Sequence, residues 1–127
     1  MALYENLPVY KAAYDLLLEI YKMNIHLTKE YRYTLGENLK KELTELLVCI
    51  YKANVDVGTK AANLQNAREH MVVIKLHMRM MHDLKQITQK RFVALSEKAD
   101  GLSKQIVAWH KSAVKNAVSK NPESSSV

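Results

Sequence analysis

One cysteine, two prolines and three glycines are all that 127 residues hold of the types that staple, bend or break a chain. A lone Cys49 excludes an internal disulfide and fits a reducing compartment. Within the run LTELLVCIYKA it reads as a small buried thiol rather than a nucleophile. Scarce glycine and proline, set against abundant Leu, Lys, Glu, Ala and Met, favour helix over strand. No apolar run approaches the ~20 residues that cross a bilayer. The opening MALYENLPVYK has neither a cationic start nor an apolar stretch before a cleavage site, so no signal peptide is expected and the expected location is cytoplasmic. Aromatic residues make up only 7%, and seven of them are tyrosines. Tyr10, Tyr14, Tyr21 and Tyr51 read as core or interface packing.

What is present belongs to a globular chain: 48% hydrophobic and 25% charged residues, enough for one domain with an ordinary core. The net charge of +6 is uneven. Residues 1–84 carry 11 basic and 10 acidic side chains, or +1, and residues 85–127 carry 8 and 3, or +5. A surplus gathered in the last third points to a polyanionic partner, nucleic acid before an anionic membrane; the plainer reading is solubility alone.

Four helices are predicted. The first starts at Pro8, where the missing N–H does no harm, and runs to Leu27 with Val9, Ala13, Leu16, Ile20, Met23 and Leu27 on its core face. After the linker TKEYRYTLG, a second spans Glu37 to Val57. Its Leu39, Leu43, Leu46, Ile50, Ala53 and Val57 recur at spacings of four and three, as a packed helical seam requires. Gly58 suits its C-cap and Thr59 the N-cap of a third helix, Lys60 to Ile87. Thr88 suits the cap of a fourth, Gln89 to Val118, with Leu95, Ala99, Leu102, Ile106, Trp109 and Ala113 inward. Gly101 is expected to permit a close helix approach, at about 1 kcal/mol of helix stability. Residues 119–127 lack an apolar pattern and are expected to be a disordered tail. Short connections between four helices imply an all-α, antiparallel up-down-up-down four-helix bundle.

The third helix carries more apolar surface than the bundle needs. At about 100° per residue, one stripe runs Leu64, Ala67, Met71, Ile74, Met78, Met81 and a second Val73, Leu76, Met80, Leu84, Ile87. A helix on the outside of a small monomer needs only one such stripe, so the second is expected to meet another subunit of a homo-oligomer. Val73, Leu76, Met80 and Leu84 are the candidate interface, although spacing alone leaves open which stripe faces inward. Between the stripes lie Arg68, Lys75, Arg79 and His82. On the fourth helix Lys104, Lys111 and Lys115 fall within roughly 40° of one another, opposite the core face. Together with Arg68, Lys75 and Arg79 they form a candidate phosphate-contacting set in which each contact releases counterions. With few exposed aromatics beside them, backbone contacts to RNA or DNA are expected, with little reading of bases.

Active sites known to helical bundles are not expected. Three residues before each histidine stand Met23, Ala67, Ile74, Arg79 and Val107, so no Glu-x-x-His pair for a di-iron site exists. One cysteine with dispersed histidines does not make a zinc cluster, and His-x-x-x-His is missing. No Arg is followed after four to six residues by His, as in helical ribonucleases of the HEPN class, and no Gly-rich phosphate loop occurs. His77 reads as a core or interface histidine, or else a pH-sensitive contact. No catalytic residue, metal ligand set or cofactor is expected, and no enzymatic activity.

The segment YENLPVYKAAYDLLLEIYKMNIHLTKEYRYTLGENL resembles the first half of the bacterial four-helix-bundle proteins encoded in intervening sequences of 23S ribosomal RNA genes. The accessory variability proteins (Avd) of diversity-generating retroelements share that architecture, and Ala53-Asn54 matches a small-residue-plus-Asn feature of the family. The second half is more similar to the retroelement branch, through the pair Lys90-Arg91 and the pattern Gly101, Lys104, Gln105, Trp109, Lys111. The ribosomal branch tends to end its second helix in Asn-x-x-Glu-Gly, where this chain has Asn54-Val55-Asp56-Val57-Gly58. The resemblance spans residues 4–115. It implies a homopentamer with a basic surface, binding nucleic acid and a cognate reverse transcriptase in mutagenic retrohoming. It also adds Lys90 and Arg91 to Lys104 and Lys111 as surface contacts. The alternative it leaves is a ribosomal intervening-sequence type protein acting as a structural or protein-interaction module.

Overall fold

The structure, a computed structural model, describes residues 3–120. It is built of helices: α1 (Pro8–Asn24), the single turn α2 (Lys29–Arg32), α3 (Leu35–Val55), α4 (Lys60–Asp83) and α5 (Gln89–Lys120). Short 3₁₀ turns occupy Tyr4–Asn6 and Val57–Thr59. There is no strand among the described residues. The four long helices pack α1 on α3, α3 on α4, α4 on α5, and α5 back on α1. None of them is long and apolar enough to cross a membrane.

The core follows the four-and-three spacing of the sequence. Every expected core residue of the first helix is buried, from Val9 through Leu27, and on α3 so are Leu39, Leu43, Leu46, Ile50 and Ala53. Val57 is not: it stands in the 3₁₀ turn, 64% exposed. The helix ends at Val55 because Asp56 turns the chain, its carboxylate accepting the Gly58 N–H at 3.0 Å and the Thr59 hydroxyl at 2.9 Å. Asp56, not Gly58, is therefore the C-cap, and Thr59 precedes α4 without capping it through its side chain.

Other boundaries shift for similar reasons. The first helix ends at Asn24, three residues before the expected Leu27, and the Arg32 guanidinium donates to the Ile25 and Leu27 carbonyls at 3.1 and 3.2 Å. The Ile25 carbonyl, at the C-cap, is one that a helix end leaves without an intrahelical partner. The linker contributes α2, and α3 opens at Leu35, two residues ahead of Glu37. Gly36 is buried there because Asn24 lies against it; a Cβ at Gly36 would collide with Asn24 Oδ1. Helix α4 stops at Asp83 rather than Ile87. Lys85 adopts the left-handed conformation (φ 60°), the Lys85 N–H donates to His82 O and the Gln86 N–H to Met81 O. That is the Schellman arrangement, here with a lysine where glycine is usual. Thr88 Oγ1 does accept the Arg91 N–H, at 3.1 Å, capping α5. The helix continues through Ser119 and Lys120, two residues into the expected tail. Residues 121–127 of that tail lie outside the described residues.

Three further expectations resolve. On α4 the inward stripe is Leu64, Ala67, Met71, Ile74, Met78 and Met81, all buried. The other stripe faces out: Leu76 is 55% exposed, Met80 and Leu84 are exposed and Val73 half-buried, while Ile87, past the helix, is covered. Gly101 permits no close approach, since the space a Cβ would fill is open to solvent. Tyr14, Tyr21 and Tyr51 are exposed rather than core. Tyr51 and half-buried Tyr10 meet Tyr4 edge-on at 4.9 and 5.2 Å, and Lys40 Nζ lies 4.4 Å from the Tyr21 ring centre.

Candidate nucleic-acid interface

The expected basic residues divide into two groups according to what already neutralises them. On α4, side chains seven residues apart share a face, and Arg68 and Lys75 point at α5. Arg68 Nη1 donates to His110 Nδ1 at 3.1 Å, and Lys75 Nζ pairs with Asp100 at 3.1 Å. Arg79 pairs along its own helix with Asp83 at 3.2 Å. The hydrogen bond from His82, and then Arg79, hold the Asp83 carboxyl below the usual carboxylate range. The strip that reads as a row of free cations is thus engaged within the fold.

The α5 group differs. Lys90, Arg91, Lys104, Lys111 and Lys115 are all exposed, and none has an ion-pair partner among the described residues. Because Leu95, Ala99, Leu102 and Ile106 turn inward, the helical period carries Lys104, Lys111 and Lys115 to the opposite side. At 1.5 Å per residue, Lys104 and Lys111 stand about 10 Å apart along the axis and Lys111 and Lys115 about 6 Å. No carboxylate comes between these three in the chain, and the rings that do, Trp109 and His110, lie on other sides of the helix.

Two clefts lie along α5. One, of about 300 Å³, brings Lys104 beside Lys75 and Asp100. The other, of about 400 Å³, lies between α1 and the start of α5 and gathers Lys90, Arg91 and Lys98 with Glu19. Lys98 is the basic residue that sequence reasoning missed. Its signal was its spacing from Arg91: seven residues on one helix place the two on one face, two turns apart.

The remaining titratable groups are structural or separate. His77 is half-buried and its Nδ1–H donates to the Val73 carbonyl at 2.8 Å. Burial pushes the Cys49 thiol up from its ordinary value, which keeps it protonated and unreactive. Glu42 and Glu45 of α3 meet His70 of α4. The grouping draws its donors from two helices, so it contains no Glu-x-x-His, and its sequence signal is Glu-x-x-Glu alone. No family model and no curated protein matches this chain.

Proposed function

We propose that this chain is a non-enzymatic nucleic-acid-binding accessory protein that acts as a homo-oligomer. Its resemblance to the Avd proteins makes the oligomer a pentamer of antiparallel up-down-up-down bundles, working in the cytoplasm with a retroelement reverse transcriptase in mutagenic retrohoming. The observation that carries the reading is the outward α5 ridge of Lys104, Lys111 and Lys115, with Lys90 and Arg91 at its start, unpaired by any acid among the described residues. Arg68, Lys75 and Arg79 join as secondary contacts, since a phosphate must compete with His110, Asp100 and Asp83 for them. The outward stripe of Val73, Leu76, Met80 and Leu84 serves as the subunit interface. Five copies at +6 each carry +30, turning a modest charge into a strong field.

Filter binding with RNA and with DNA tests this. Lys104→Glu combined with Lys111→Glu abolishes retention while helicity is unchanged; equal retention by wild type and variant contradicts the reading. The exposed apolar stripe also supports the alternative, a ribosomal intervening-sequence type module whose partners are only proteins. Reverse-transcriptase binding that persists at high salt without nucleic acid favours that alternative.

A further inference from the structure

We propose that Glu42, Glu45 and His70 form a binding site for one divalent first-row transition ion, with Zn²⁺ as its probe, clamping α3 to α4. The two glutamates are three residues apart and so share the side of α3 that faces α4, and His70 reaches them from the opposing helix. His70 Nδ1 lies 2.7 Å from Glu42 Oε2 and 3.7 Å from Glu45 Oε2, and one donor atom from each residue falls within a 4.8 Å group. Tetrahedral coordination at the usual Zn–N and Zn–O lengths sets donors about 3.3 Å apart. The two His70 separations straddle that value, one about 0.6 Å short of it and the other about 0.4 Å beyond, within reach of side-chain rotation.

Charge supplies a second argument. In a chain with 19 basic residues, neither carboxylate has a Lys or Arg partner among the described residues. The side chains of Glu42 and His70 are only 22% and 24% exposed. Two half-buried carboxylates that share one imidazole leave a negative site that a dication would neutralise, whereas a single proton on His70 neutralises half of it. An ion that takes Nδ1 replaces the N–H now donated to Glu42, and the ring that binds it is the neutral tautomer with its proton on Nε2. The imidazole donor selects a transition ion over Mg²⁺ or Ca²⁺. Partial exposure leaves the remaining coordination position to water. Cys49, one turn beyond Glu45, is not among the grouped donors.

Calorimetric titration of the chelator-treated full chain with Zn²⁺ at neutral pH should give one ion per chain, and Mg²⁺ should give no heat. His70→Gln, and separately Glu42→Gln with Glu45→Gln, should weaken binding more than about 100-fold with helicity unchanged, while Cys49→Ser and His77→Gln bind as wild type does. Loss of binding in either of those two controls, or wild-type affinity in His70→Gln or in the glutamine pair, would overturn the assignment. Should the site variants fail to fold, Co²⁺ added to the wild-type chain decides: visible bands of a tetrahedral nitrogen–oxygen site, lost when Zn²⁺ displaces Co²⁺, support it, and their absence overturns it.

Discussion

Arg68 and His110, 42 residues apart in the chain, join α4 to α5 through a 3.1 Å hydrogen bond in which the guanidinium donates and His110 Nδ1 accepts. The bond exists only while the imidazole is neutral and carries its proton on Nε2. Burial first and the Arg68 charge second pull the His110 pKa below its ordinary 6.5. The unfolded chain therefore takes up this proton before the folded one does. His110 leaves stability untouched above pH about 6.5, and erodes it as pH falls from there through the lower folded value. Urea midpoints taken from neutral to acidic pH should decline less steeply in His110→Gln than in wild type. Parallel declines would show that the bond has no part in pH dependence.

Gly36 and Gly101 should respond to the same substitution with opposite signs. A methyl at Gly36 meets Asn24, which is 5% exposed at the end of α1. Gly36→Ala should therefore cost about 1–3 kcal/mol, as overpacking does. At Gly101 the helix is exposed and the space empty, so Gly101→Ala should stabilise by up to about 1 kcal/mol. Chemical denaturation of the two variants measures both. A stabilising Gly36→Ala would mean that Asn24 can move aside.

Leu76 makes the subunit interface separable from folding. It is more than half exposed on α4 and distant from the buried stripe, so Leu76→Asp should change the stability of one subunit by no more than about 0.5 kcal/mol. Light scattering should report a multiple of 14.6 kDa for the wild type and 14.6 kDa for the variant, with equal helicity. A folded wild-type particle of 14.6 kDa would remove the interface from the account.

The bundle was legible because burial and spacing agree: Leu39, Leu43, Leu46 and Ile50 lie on one side of a helix whatever surrounds them. The ends were not, since they depend on groups distant in the chain or on unusual backbone. Arg32 satisfies carbonyls beyond Asn24, and Lys85 takes a conformation that glycine usually fills. Spacing also presented two equivalent stripes on α4, and only the packing of α3 and α5 against one of them broke the tie. The candidate basic site was half legible. Periodicity placed Lys104, Lys111 and Lys115 outward, but that Asp100 would reach Lys75, and His110 reach Arg68, is a matter of helix register across the bundle. Glu42, Glu45 and His70 are hidden for the same reason, one donor lying 25 or more residues from the others.

The salt dependence of nucleic-acid binding tests the central claim most directly. If Lys90, Lys104, Lys111 and Lys115 each neutralise a phosphate, log K plotted against log salt for duplex DNA should fall with a slope of roughly −3 to −4 per bound chain, by about 0.9 per contact. Lys104→Glu with Lys111→Glu should flatten it by about 2. A wild-type slope near zero, or a variant with the wild-type slope, would contradict the account.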